Sequence, residues 1–82
     1  MQVQAERLGR ALTNYRFAIL AASPELDKPL LSRAHEAMGR INAFMDNQTE
    51  ALKEFEAAIQ IGDVRDGAYK EAIEGKKKIQ QP

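Results

Sequence analysis

The sequence predicts an all-α protein, with a long antiparallel helical hairpin and a short third C-terminal helix, assembled into an oligomeric bundle. Three observations lead to this fold class. Helix-forming residues dominate between the glycines and prolines. Apolar residues recur at steps of three and four, and no stretch alternates apolar and polar residues as a half-buried strand would. A chain of 82 residues is also short enough to form one domain, so we expect a single helical domain over residues 1–82.

Helix 1 is predicted over about residues 2–22. Its apolar positions follow steps of three and four: Ala5, Leu8, Leu12, Tyr15, Ile19 and Ala22. A loop over residues 23–29 follows, because Pro24 and Pro29 interrupt any helix that contains both. Since this loop is short, we expect the helices on either side of it to pack antiparallel.

Helix 2 is predicted as one long helix over about residues 30–61, with Asp27 as its N-cap and Gly62 ending it. Its apolar seam keeps the heptad spacing: Leu31, Ala34, Met38, Ile41, Met45, Gln48, Leu52, Phe55 and Ile59. A second column, of Ala37, Phe44, Ala51 and Ala58, widens the apolar face. A face this wide is typical of bundles of three or more helices.

Helix 3 is predicted over about residues 63–78, with Asp63 as its N-cap and a frayed tail over residues 79–82. The run Lys76–Lys78 lies in the last turn, where positive charge complements the helix dipole.

The C-terminal half of helix 2 extends past helix 1 and lacks a partner within the hairpin. Burying each large apolar side chain is worth about 1.5–3 kcal/mol, so we expect helix 3 or a second copy of the chain to cover this half. The predicted self-association surface comprises Phe44, Gln48, Leu52, Phe55 and Ile59. Gln48 is the one polar residue of the seam, and it either specifies the register and oligomeric state or lies in water.

Helix 1 carries apolar side chains away from its seam. Phe17 and Leu20 are such residues, and Arg10 lies two turns before Phe17. They are either ordinary surface residues or a contact for another protein. The leading functional hypothesis is a non-enzymatic protein–protein interaction module that self-associates and binds or occludes a partner protein. Small chaperones, assembly subunits and phage-type inhibitors belong to this class.

A second hypothesis comes from two arginines on helix 2. Arg33 and Arg40 are seven residues apart, so they share one helix face and could hold an anion. This hypothesis describes an oligomer that holds a small anionic ligand, such as a nucleotide, between its chains. Surface arginines without a ligand are the plainer interpretation.

Catalytic and metal-binding patterns are weak. Ser32 and His35 are three residues apart on one helix face, but no elbow or oxyanion motif accompanies them, and we interpret them as incidental surface residues. The acids Asp46, Glu50 and Glu54 share one face, which we expect to be solvated. We therefore predict no enzymatic activity, no metal site and no cofactor.

Composition narrows the partners and the compartment. Twelve basic and twelve acidic side chains balance, which argues against nucleic acid and anionic membranes as partners. The longest apolar run, Phe17–Ala22, is too short for a membrane span or for the apolar core of a signal peptide. Cysteine is absent, which is consistent with a reducing compartment, and we expect a cytoplasmic protein.

The segment Leu20–Leu31 resembles the proline-containing turn of type III secretion needle subunits, with a helix on each side. The resemblance covers about a dozen residues. Needle subunits have their two prolines closer together and a shorter second helix. The resemblance therefore implies no functional residue in this chain.

Overall fold

The computed structural model describes residues 2–81, and within this range the chain is all-helical, with four helices and no strand. Helix α1 spans Gln2–Ala21, α2 spans Lys28–Phe44, α3 spans Gln48–Ile61 and α4 spans Tyr69–Gln80. Pro29 lies in the first turn of α2. Asp27 occupies the N-cap position, but its Oδ2 accepts a hydrogen bond from the Ser23 N–H, at 2.8 Å, instead of capping α2.

The single helix predicted over residues 30–61 is instead two helices, so the predicted long hairpin is not confirmed. The chain leaves α2 after Phe44 and turns at Asp46, whose φ of 64° is left-handed. Aspartate tolerates this conformation better than most residues. The N–H of Asn47 closes the turn on the carbonyl of Asn42, at 2.8 Å, and Asn47 then occupies the N-cap position of α3.

Helices α2 and α3 make the most extensive interhelical contact among the described residues, and they run in opposite directions. Only residues 45–47 connect the two helices, so α3 folds back antiparallel along α2. Ser32, near the start of α2, bonds to the Ala68 N–H just before α4, and His35 bonds to Glu54 of α3. The fold is therefore built around α2, which contacts each of the other three helices.

The connection between α3 and α4 is a seven-residue loop attached to α2. Gly62 ends α3 with a φ of 98°, a conformation that favours glycine. The buried Ser32 hydroxyl accepts the Ala68 N–H, at 2.8 Å, and Arg33 donates to the carbonyl of Asp66. Helix 3 was expected to start at Asp63, but this aspartate lies in the loop and α4 begins six residues later.

Helix α1 packs on α2 alone. Leu12 is its one buried residue within the described part of the chain, and Tyr15 and Ile19 are half-buried. The molecule is flat, with extents of 37 × 32 × 17 Å. Among the described residues, no helix combines the length and the apolar character that crossing a membrane requires.

Candidate functional site

Phe55 lies at the centre of the core, where α2, α3 and α4 meet. Its ring is 2% exposed. A Cβ added to Gly39 would lie 2.6 Å from the ring, and one added to Gly75 would lie 2.4 Å from it, so both helices approach the ring through a glycine. Buried alanines surround it: Ala51, Ala58 and Ala72. Phe55 was predicted on the self-association surface, but α4 covers it within the same chain.

An open groove runs between α2 and α4, beside the buried ring of Phe55. Its volume is about 950 Å³, and we call it the α2–α4 groove. Apolar parts come from Ala43, Phe44, Phe55, Gly75 and Ile79. Phe44 ends α2 at the edge of the groove and is 70% exposed. The groove is therefore an apolar depression with an uncovered aromatic side chain at its edge.

Charges of both signs surround this groove in equal numbers. The bases are Arg40, Lys70 and Lys78, and the acids are Glu36, Glu71 and Glu74. The buried Glu36 carboxylate forms an ion pair with Arg40, whose Nε lies 2.8 Å from Glu36 Oε2. We call these six charged residues the rim of the groove. The ion pair holds Arg40, the one arginine of the rim, against α2 and compensates the charge of the buried Glu36 carboxylate.

The other predicted self-association residues have different environments. Gln48 is exposed and lines the α2–α4 groove, so it is not part of a buried seam. Leu52 is half-buried, and Ile59 packs partly buried against the core cluster around Phe55. Of the five predicted residues, the structure therefore brings Phe44, Gln48 and Phe55 to one groove.

The outward face of α1 carries a second heptad series. Its positions follow steps of three and four, and all of them are exposed: Val3, Glu6, Arg10, Thr13, Phe17 and Leu20. Phe17 is 65% exposed and Leu20 is 81% exposed. Arg10 lies 4.0 Å from Glu6, in an exposed ion pair of the kind that contributes little to stability. We call this series the outer face of α1; it includes all three predicted partner-binding residues.

Arg33 and Arg40 line one small pocket of about 350 Å³, next to Tyr15. Both arginines already have partners, because Arg33 donates to the Asp66 carbonyl and Arg40 pairs with Glu36. Glu36 and Glu71 also line this pocket, so its formal charge is balanced. The two arginines line one pocket, and its balanced charge gives it no strong attraction for anions.

The Ser32 and His35 side chains have separate partners. Ser32 was interpreted as a surface residue, but it is fully buried and holds the start of α4. His35 Nδ1 lies 2.7 Å from a carboxylate oxygen of Glu54, so Glu54 does not belong to the solvated face that was expected. Across the described residues, no group of three or more carboxylates and histidines is arranged to hold a metal ion.

The sequence did not predict that Ile79 lines the α2–α4 groove. Ile79 was assigned to a frayed tail, yet it packs against the core and lines this groove. The sequence feature that could have indicated this groove is the pair Gly39 and Gly75. A glycine within a helix, away from its end, often lies where another group packs closely against the backbone.

No protein-family model matches this chain, and comparison with curated proteins and with solved structures found no significant match.

Proposed function

We propose that this chain is a non-enzymatic protein–protein interaction module whose outer α1 face binds a partner protein. The observation that carries the proposal is the uncovered outer face of α1, where Phe17 and Leu20 are 65% and 81% exposed. These two side chains lie one turn apart, so they face the same direction.

The total surface supports this proposal. The chain exposes 5855 Å², whereas a compact monomer of 9.2 kDa exposes about 4,900 Å². The difference, about 900 Å², is close to the roughly 800 Å² that one partner buries in a standard protein–protein interface. The flat shape and the one-sided packing of α1 account for the additional exposure.

The spacing on the outer face of α1 indicates the chemistry of the partner. Steps of three and four are those by which an amphipathic helix contacts a groove or another helix. Apolar side chains lie at the two ends of this face, at Val3 and at Phe17 with Leu20, and polar ones lie between them. A complementary surface is therefore apolar at its ends and polar at its centre.

The test compares proteins retained by tagged variants in the cells that naturally produce the chain. Leu20→Asp places a charge on the outer face of α1, and Gln4→Asp places the same charge on an exposed position that is not one turn from any member of the series. We expect the Leu20→Asp variant to lose proteins that the wild type and Gln4→Asp both retain. Identical retention by all three would contradict the proposal.

Ligand binding between chains is the second candidate, because Arg33 and Arg40 do line one pocket with Tyr15. A nucleotide there would have to displace the Asp66 carbonyl from Arg33. Thermal unfolding with a panel of nucleotides at millimolar concentration tests this. Binding predicts a higher melting temperature that is lost in Arg33→Gln, whereas an unchanged melting temperature across the panel would rule this function out at physiological concentrations.

A further inference from the structure

We propose that two copies of this chain pair around a two-fold axis through the α2–α4 groove, with Phe44 of each copy inserted into the groove of the other. This inference deepens the self-association that was expected from the sequence. It concerns a surface other than the outer face of α1, so either contact can exist without the other.

The first argument is the position of Phe44. It lies at the edge of the groove of its own chain and is 70% exposed. Hydrogen bonds hold the turn that follows: the Met45 N–H donates to the Ile41 carbonyl oxygen, at 3.0 Å. The aromatic side chain is therefore presented from a fixed backbone. An aromatic residue held in place and exposed is a common centre of a protein interface.

The second argument is that the chain itself leaves the groove unfilled. Ala43 and Gly75 contribute little volume to the groove, and Gly75 must remain glycine because a Cβ there would overlap the Phe55 ring. The groove volume of about 950 Å³ leaves ample room for an inserted aromatic side chain. Phe44 lies at the edge of the groove that Ala43, Gly75 and Ile79 line. One two-fold operation therefore brings the Phe44 of each copy to these residues of the other copy.

The third argument is charge. The rim carries three bases and three acids, and the whole chain is neutral. A strongly acidic or strongly basic partner would meet like charges as well as opposite ones. A second copy of the same rim can place bases opposite acids twice, because a two-fold interface repeats every contact. Charge therefore favours a second copy over a highly charged partner.

The fourth argument is shape. The molecule is 17 Å thick in its shortest dimension and extends 37 × 32 Å in the other two, so it offers broad faces for pairing.

The first experiment measures mass by light scattering after size exclusion, from micromolar to submillimolar protein. We expect a dimer for the wild type and a dissociation constant at least about tenfold weaker for Phe44→Glu. Phe17→Glu is the matched control, because it removes the other well-exposed aromatic side chain and should leave the dimer intact. Far-ultraviolet circular dichroism checks that both variants stay helical.

Each other result has a definite meaning. A wild-type monomer at every concentration would overturn this inference without touching the α1 contact, which is tested by retention of partners. A dimer lost in Phe17→Glu and kept in Phe44→Glu would also overturn it, and would place self-association on the outer face of α1.

A crosslink locates the contact directly. The chain has no cysteine, so single cysteines can be introduced cleanly. Mixing Phe44→Cys with Ile79→Cys under mild oxidation should give the mixed disulfide, because the Ile79→Cys copy keeps its own Phe44 contact and position 44 of the other copy then lies at its groove. Mixing Phe17→Cys with Ile79→Cys should not. An equal yield of both mixed disulfides would contradict the proposed geometry.

Discussion

Helix α1 and the unit formed by α2, α3 and α4 are held together in different ways. In the unit, the three helices pack around the Phe55 ring, which fits against Gly39 of α2 and Gly75 of α4. Three side chains of α2 also form hydrogen bonds to α3 and to the loop after it: Ser32, Arg33 and His35. Helix α1 contacts α2 alone and buries one leucine among its described residues. The comparison shows that three closely packed helices carry a fourth helix whose outer face is exposed.

The largest expected effect is that of Phe55→Ala in the unit. Removing a buried phenylalanine typically costs about 3–5 kcal/mol, because the transfer free energy is lost and a cavity remains. A small domain has little stability in excess of this. We expect the variant to lose its cooperative unfolding transition in urea, monitored by circular dichroism. A loss below about 1 kcal/mol would show that the ring does not hold the three helices together.

The next effect concerns α1. Leu12→Ala removes the one buried side chain of its described part and should cost about 2 kcal/mol, the lower end for such substitutions. We expect this loss to be local, with faster amide hydrogen exchange in α1 and unchanged exchange in α2, α3 and α4. Uniformly faster exchange over all four helices would show that the two regions unfold as one.

A smaller effect is expected from one methyl group. Gly75→Ala gains helix propensity, but its Cβ would lie 2.4 Å from the Phe55 ring. The overlap should outweigh the gain and leave a net loss of about 1–2 kcal/mol in urea unfolding. Gly9→Ala is the control, since a Cβ there meets nothing within 4 Å, and it should stabilise by about 0.5–1 kcal/mol. Equal effects at both positions would contradict the close approach at Gly75.

The smallest effect is expected for an ion pair between α3 and α4. Lys76 Nζ lies 3.4 Å from Glu56 Oε2, and the Glu56 side chain is half-exposed. Exposed pairs of this kind contribute about 0–1 kcal/mol, so Glu56→Gln should change the free energy of unfolding by less than about 0.5 kcal/mol. A loss above about 1 kcal/mol would show that this pair contributes more than an exposed ion pair does.

The helix break at residues 45–47 shows where periodicity misleads. The apolar spacing continues across it from Ile41 to Leu52, and a periodic pattern is blind to a turn that keeps the phase. A local signal was available, since Asn47 followed by Glu50 is a typical helix start. The break shortens the predicted hairpin and turns α3 back along α2.

The predicted partner-binding residues Phe17 and Leu20 are exposed, whereas Phe55, predicted for self-association, is buried. Phe17 and Leu20 lie off the apolar seam of α1, and the structure leaves both uncovered. Phe55 lies on the seam of its helix, and the same apolar face could be covered by a second chain or by the end of its own chain. Sequence position separates seam from surface, but it does not identify which helix covers a seam.

The sequence by itself determined the helical class, the end of α3 at Gly62 and the apolar seam of α1, with Phe17 and Leu20 outside that seam. These depend on local backbone preference and on side-chain spacing within one helix. Only the tertiary structure decided that α4 covers Phe55 and that Phe44 stays exposed beside an open groove. The physical reason is that apolar burial is non-directional, so the choice between possible covering helices depends on how their shapes fit, here on two glycines against one ring.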